Sequence, residues 1–429
     1  MKKLILPILF LYSFTIIALH AETRQHWVGG DISLLPSYEG YNTPYYDADG
    51  KTIGDVITYL HDECGWNAAR VRLFVTPTER TSGAKTGVVQ DLAYVKKLGK
   101  RIKDAGMKLM VDFHYSDCWA DPSYQDIPST WKTNTSNEAL ADSMYQYTKR
   151  CLTELKAFGA EPDFVQVGNE ISYGMLWRSN GDKVFPAQAK TSYSTQWSRL
   201  SQLLNSGCKA VRDVCPDCKI VIHTERSGVS TQTVNFYNYI SDVDYDIIGL
   251  SYYPFYHNAL SYLSTTLSNL EKQFPNKEVQ IVETAYFYQY YASDATYNFA
   301  STWAATETGQ LAFANDLVAE LLKHNNTTGL YWWFPEENGN GGASWNANTI
   351  VIDSWLNRGL WNSNNHRALK ALYTLKELRA NDTALAHILQ DASRNNQPIY
   401  NICGQVVGKN LKELPKGIYI IDGKKILVK

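Results

Sequence analysis

The sequence predicts an α/β protein, a (β/α)8 TIM barrel with a short β-rich tail at its C-terminus. Three observations carry that prediction. Strand-like and helix-like segments alternate eight times between residues 26 and 380, the strand segments are continuous apolar runs, and polar residues recur where the runs end. Continuous apolar runs are the mark of parallel strands buried on both faces. Eight units over such a span fit a closed barrel better than a doubly wound sheet. No G-x-G-x-x-G follows the first strand, so a dinucleotide-binding fold loses its main support.

The elements follow in order. His26–Asp31 reads as the first strand, and Ile53–Glu63 has helical spacing with Ile53, Val56, Ile57 and Leu60 on one face. Ala68–Val75 is the second strand, closed by Pro77, and Val88–Ala105 is an amphipathic helix ended by Gly106. Met107–His114 is the third strand, and the long helix Asn137–Phe158 leads into the fourth, which begins at Asp163 and runs to Glu170. A helix over Tyr193–Val214, a strand over Ile220–His223, a short helix over Thr233–Ile240 and a strand over Ile247–Tyr253 come next. The helix Leu260–Phe274, the strand Val279–Glu283, the helix Thr308–Lys323, the strand Gly329–Phe334 and a closing helix His366–Leu378 complete the series.

The ends of the chain fall outside the barrel. Met1-Lys2-Lys3 followed by the apolar run Leu4–Leu19 and His20-Ala21 reads as a secretory signal peptide over residues 1–21. The run is short for a membrane span and carries no stop signal, so no membrane insertion is expected after cleavage. The expected location is secreted: periplasmic, cell-surface or extracellular. Residues 22–380 are expected to form the barrel, which would carry the active site. Residues 381–429 form a tail ending in L-P-K-G-I-Y-I-I-D-G-K-K-I-L-V-K, which reads as a β-hairpin turning at Asp422-Gly423. That ending also resembles the C-terminal sorting segments of secreted bacterial proteins.

A formal net charge of −2 implies neither a nucleic-acid nor an anionic-membrane partner. Seven cysteines are an odd number for an oxidising compartment. Cys208, Cys215 and Cys218 lie close enough in sequence to hold one short-range disulfide, and a lone C-x-x-C is weak support for zinc.

The chemistry lies at the strand ends, which share one cleft in a barrel of this kind. Found there are Asp31, Arg70, Asp112, His114, Asn169, Glu170, His223, Ser251, Tyr253, Glu283, Trp332 and Trp333. Buried carboxylates are costly unless paired or used. Glu170 and Glu283 each end an apolar run, and 12 Trp and 29 Tyr supply rings suited to stacking on sugars or to filling a large core. Two carboxylates in an aromatic cleft suit glycoside hydrolysis, one as a proton donor and the other ionised to trap the oxocarbenium centre. Arg70 and Tyr253 are the natural groups to keep the second carboxylate ionised. A metal-dependent hydrolase built on Asp112, His114 and His223 competes with this reading, but lacks the H-x-H such barrels carry early in the chain. A non-catalytic sugar-binding barrel would lack one of the two glutamates.

The chain resembles glycoside hydrolase family 53, the endo-β-1,4-galactanases of a large retaining clan. The resemblance runs over residues 26–375 and rests on G-G-D-I-S at Gly29–Ser33, R-V-R-L-F at Arg70–Phe74 and D-F-H-Y-S-D-C-W-A-D-P at Asp112–Pro122. It continues through Q-V-G-N-E at Gln166–Glu170, G-L-S-Y-Y-P at Gly249–Pro254 and V-E-T-A-Y at Val282–Tyr286. It implies Glu170 as acid/base, Glu283 as nucleophile, Asn169 on the sugar 2-hydroxyl, and Trp119 with Trp332 or Trp333 as stacking platforms. The implied substrate is β-1,4-galactan of pectic arabinogalactan side chains, with xylan and mannan as the alternatives. No cofactor is implied. Bacterial relatives often carry an Asp-rich calcium loop after strand seven, but Phe287–Thr302 offers mainly Asp294, and no metal is expected. Over Tyr331–Pro335 an extra aromatic replaces the family's usual acidic residue after Trp.

Overall fold

The computed structural model describes residues 25–380 except 41, 79–86, 293 and 340–355, and residues 398–428 except 403, 409–413, 416 and 422–423. The signal segment Met1–Ala21 and the turn Asp422-Gly423 lie outside the described residues.

Eight parallel strands close into a barrel: β1 Trp27–Asp31, β2 Ala68–Leu73, β3 Lys108–Phe113, β4 Phe164–Val167, β5 Lys219–Thr224, β6 Ile247–Tyr252, β7 Glu278–Thr284 and β8 Thr327–Trp333. Closure is made by β1, which pairs with β8 from Trp27↔Gly329 to Asp31↔Trp333 and touches β2 at Asp31↔Arg70. Helices α1 Val56–Asp62, α2 Leu92–Asp104, α3 Asn137–Phe158, α4 Ser194–Val214, α5 Ser230–Tyr239, α6 Leu260–Gln273 and α7 Glu307–Leu321 cover the outside. Their ends follow from the sequence. Ser136 caps α3 by accepting from the Ala139 N–H, and Gly159 stops it at φ +81. Asp55 and Asp91 cap α1 and α2, which therefore begin at Val56 and Leu92 rather than at Ile53 and Val88.

Alternation along the strands sorts the barrel interior into layers. Ala68, Met110, Phe164, Val221, Ile247, Val282 and Tyr331 pack into one apolar cluster. Two residues further along β2 to β5, the same parity carries Arg70, Asp112, Gln166 and His223, so a polar layer rests on an apolar floor. The alternation breaks where the site is built, in β7. Leu250 pairs with Ile281 and Ser251 with Glu283, so Val282 is an extra residue in β7. Such a bulge re-aims the side chain that follows it. Both Val282 and Glu283 thereby face inward.

The expected closing helix is shorter than its sequence suggested. His366 has φ +59, Arg367 bridges to Tyr46, and the Ala368 N–H donates to the Tyr46 carbonyl, which holds this stretch extended. Helix begins only at Ala371, runs to Thr374 and passes into a 3-10 turn over Leu375–Arg379. In the tail, Ile399–Asn401, Val406–Gly408, Gly417–Ile421 and Lys424–Val428 form a separate antiparallel sheet, whose last two strands are the expected hairpin. The six described cysteines are buried thiols. No helix among the described residues is long and apolar enough to cross a membrane.

Candidate active site

The site is organised by one cation. Arg70, from β2, is fully buried and directs each arm of its guanidinium at a different acceptor. Its Nη1 donates to Asp31 Oδ2 at 2.7 Å, its Nη2 to Asp112 Oδ2 at 2.7 Å and Asn169 Oδ1 at 2.9 Å, and its Nε to Gln166 Oε1 at 3.2 Å. The same Nη2 lies 3.0 Å from Glu283 Oε1. The other Glu283 oxygen accepts from the Tyr253 hydroxyl at 2.9 Å. Glu283 is thus held by a cation and a phenol donor.

Glu170 is placed differently. Strand β4 ends at Val167, and the chain turns through Gly168 at φ +88 to Glu170 at φ +49. A left-handed backbone is unusual for a residue with a side chain, and such strain gathers at functional sites. Glu170 Oε1 accepts from the Ser251 hydroxyl at 2.7 Å. Ser251 in turn lies 2.8 Å from His223 Nε2. No cation contacts the Glu170 carboxyl among the described residues.

These surroundings separate the proton affinities of the two acids. Burial raises Glu170 well above the usual carboxylate range, Glu283 and Glu225 add to it, and only the Ser251 bond pulls back. Burial raises Glu283 as well, to about 7, with Arg70 and then Tyr253 pulling it down against the raising charges of Asp112 and Asp31. Glu283 is therefore the first of the pair to ionise. Burial and the Arg70 charge keep His223 neutral, and burial with the Glu283 charge keeps Tyr253 a protonated donor. Burial would raise Asp112, but Arg70 and His114 outweigh it and leave its carboxyl lowered.

The remaining candidates divide into floor and wall. Asp31, Asp112, His114 and His223 are at most 2% exposed and bond to protein groups beneath the site. His114 accepts the Ala120 N–H at Nδ1 and turns Nε2 to Asp112 at 3.1 Å. The metal-hydrolase reading is weakened by that geometry, because the nitrogens of both imidazoles already face protein partners. The Asn169 amide donates to the Ala120 carbonyl, and its N–H2 group has a second hydrogen to offer. Asp294 faces the Arg358 guanidinium and the Tyr256 hydroxyl, so the one acid of that segment does not fit a calcium set.

The aromatic wall corrects one expectation. Trp332 points out of the barrel: it is fully buried, its Nε1 donates to the Arg358 carbonyl, and its ring packs on Phe313 of α7. It is a core residue. Trp333, one position on, faces inward and sits 6.0 Å from Trp119, and both rings lie over the Arg72 guanidinium, at 5.6 and 4.5 Å. Arg72 is itself tied to Asp31 at 2.9 Å.

Three contributors escaped the sequence reading. Gln166 links Arg70, Asp112, Asn169 and His223, and its signal was a lone amide inside the apolar run F-V-Q-V. Glu225 lies two residues beyond His223, so it shares the inward parity of β5, in the unremarked string H-T-E-R. Glu336 supplies an acid after the aromatic run of β8. Its Oε1 accepts the Leu34 N–H, and burial with nearby Asp31 pushes it up to about 8.

Comparison with known proteins gives a consistent picture. The sequence profile of glycosyl hydrolase family 53 matches residues 27–375. An endo-β-1,4-galactanase of Bacillus subtilis is 31% identical over 325 residues, which cover 72% of this chain and 70% of that protein. A probable arabinogalactan endo-β-1,4-galactanase A of Aspergillus terreus is 32% identical over 361 residues, covering 80% of this chain and 95% of that protein. Among solved structures, the family 53 catalytic domain of Ignisphaera aggregans superposes with a TM-score of 0.69 at 28% identity, over 85% of this chain and 98% of that one. A fungal β-1,4-galactanase superposes with a TM-score of 0.67 at 26% identity, over 82% and 99% of the two chains.

Proposed function

Because the chain belongs to glycosyl hydrolase family 53, we propose that this glycoside hydrolase cuts internal β-1,4-galactosidic bonds of galactan and of pectic arabinogalactan side chains, with retention of configuration. The observation that carries the mechanism is the unequal environment of the two glutamates. Glu283, held by Arg70 and Tyr253, is ready as an anion to attack the anomeric carbon. Glu170, touched by a hydroxyl and by no cation among the described residues, keeps a proton for the leaving oxygen. After attack the same carboxylate takes a proton from the water that releases the sugar.

Ser251 and Tyr253, two residues apart at the strand end, each reach one glutamate. Retention requires the two carboxyls to lie about 5–5.5 Å apart, so that the second can attack the anomeric carbon directly. Asn169, pinned by Arg70 and Ala120, would turn its spare N–H to the sugar 2-hydroxyl. Trp119 and Trp333, backed by Arg72, would stack on sugar faces. The chemistry asks for no cofactor. The signal-like start and the sorting-like tail support export to the periplasm, cell surface or medium.

The test is a panel of purified β-1,4-galactan, xylan and mannan, with product length and anomeric configuration followed from the first minutes. Early release of short oligosaccharides from galactan, with β-anomers formed first, is the expected result. Equal or greater activity on xylan or mannan would overturn the substrate, and α-anomers would overturn retention. Glu283→Ala with azide should yield an inverted glycosyl azide, and Glu170→Ala with an activated aryl glycoside and azide a retained one.

A further inference from the structure

A third carboxylate stands beside the proposed pair. Glu225 follows the last residue of β5, is 8% exposed, and its Oε1 accepts the Ser172 hydroxyl at 2.5 Å and faces Arg226 Nε at 2.9 Å. Ser172 is two residues beyond Glu170. Between them the Ile171 N–H donates to the His223 carbonyl, and the Glu170 N–H points to His223 Nδ1 at 3.4 Å. The left-handed turn at Glu170 is therefore fastened to the end of β5 at His223 on its near side and at Glu225 on its far side. Arg226 is fixed in its turn, with its guanidinium 4.5 Å over the Tyr173 ring. Among the described residues, Glu225 Oε2 has no hydrogen-bond partner, although it is buried. A buried carboxylate oxygen without a donor is costly, and it persists where something else depends on it.

We propose that Glu225 is a positioning residue for the acid/base, clamping the strained backbone of Glu170 through Ser172 and keeping the proton on the Glu170 carboxyl by its neighbouring negative charge. The proposal rests on the reading of Glu170 as proton donor. The groups facing Glu170 are Glu283 from β7, Glu225 from the end of β5, Asp121 from the loop after β3, His223 from β5, and Ser251 and Tyr253 from β6 and its end. Of these, Glu283 must carry charge to react and Asp121 spends its Oδ1 on the Ser123 and Tyr124 amides. Burial raises Glu225 itself, while the Arg226 charge and the Ser172 hydroxyl pull it back towards the anion that acts on Glu170. Glu225 adds to the burial that raises Glu170.

The test is Glu225→Gln, which keeps shape and hydrogen bonds but removes charge. Its kcat/KM on galactan is measured against pH, beside thermal melting. The basic limb should move to lower pH by about one unit, the scale expected for losing a like charge a few ångströms away. On an aryl galacto-oligosaccharide with a good leaving group, which needs little protonation, the variant should keep within a few-fold of wild-type rate. A basic limb that stays in place, or an equal loss on both substrates, overturns the proposal. The premise is tested separately with Glu170→Ala on the aryl substrate. If the basic limb survives there, the reading of Glu170 fails. If it vanishes there while Glu225→Gln leaves it unmoved, the present inference alone fails.

Discussion

Arg70 Nη2 lies 3.0 Å from Glu283 Oε1 while the same guanidinium holds Asp31 and Asp112, so one cation serves the reacting acid and the groups beneath it. Removing one partner of a buried, bonded ion pair typically costs about 3–5 kcal/mol. Arg70→Lys keeps the charge but reaches fewer acceptors, because an ammonium lacks the planar fork. We expect kcat/KM to fall at least roughly a hundredfold, the equivalent of about 2.7 kcal/mol, together with a lower melting temperature. A variant with near-normal activity would show that Glu283 does not depend on this contact.

Tyr253→Phe removes one donor from Glu283 and leaves the ring in place. A hydrogen bond to a charged group is worth about 1.5–3 kcal/mol, so kcat should drop by roughly 10- to 150-fold. The sign of the pH effect follows from the proton balance. Glu283 must be ionised, so activity is lost as pH falls through its pKa, and losing the phenol donor raises that pKa. The acid limb of the variant should move to higher pH while the basic limb stays. A pH–rate profile of kcat/KM decides it.

The two adjacent tryptophans of β8 should part company. Trp332→Ala empties a site between barrel and α7 and should cost roughly 3–5 kcal/mol of stability, seen as a large fall in melting temperature. Trp333→Ala strips a ring from the cleft and should mainly raise KM, by roughly 2- to 13-fold for a lost stacking contact of about 0.5–1.5 kcal/mol. Reversed outcomes would put the sugar on the wrong ring.

Asn169→Ala should lower kcat more than it raises KM. The interaction proposed for its spare N–H strengthens as the sugar flattens, so its loss is felt chiefly in the transition state. A pure KM effect would place Asn169 in ground-state binding instead.

Much of this arrangement could be read from the chain, and the exceptions have physical causes. Apolar runs located the strands, and their polar ends named Arg70, Asp112, Asn169, Glu170, Ser251, Tyr253 and Glu283, which the barrel brings together. Parity predicted which side chains share a face until β7, where a single extra residue, Val282, turns Glu283 inward and cannot be seen without the neighbouring strand. Trp332 and Trp333 look alike in composition, and only the register of β8 against β1 separates core from cleft. The closing helix was overdrawn because His366–Ala368 has helical spacing but is captured by Tyr46, a partner more than 300 residues earlier. Glu225 gave no motif, since the role proposed for it depends on Ser172 from a different loop.

The ion network around Arg70 has an electrostatic consequence for what the cleft prefers to hold. Three carboxylates, Asp31, Asp112 and Glu283, converge on two guanidinium groups, Arg70 and Arg72, which leaves one negative charge in excess. These groups are almost wholly buried, so the excess acts across the cleft with little screening. An anomeric centre gaining positive charge neutralises it, and so would a protonated iminosugar, which should bind more tightly than a neutral sugar of the same shape. In the proposed mechanism, esterifying Glu283 leaves two carboxylates facing two guanidiniums, while Glu170, having given its proton to the leaving oxygen, becomes the anion. The surplus negative charge would then move from one glutamate to the other, and return to Glu283 when water releases the sugar.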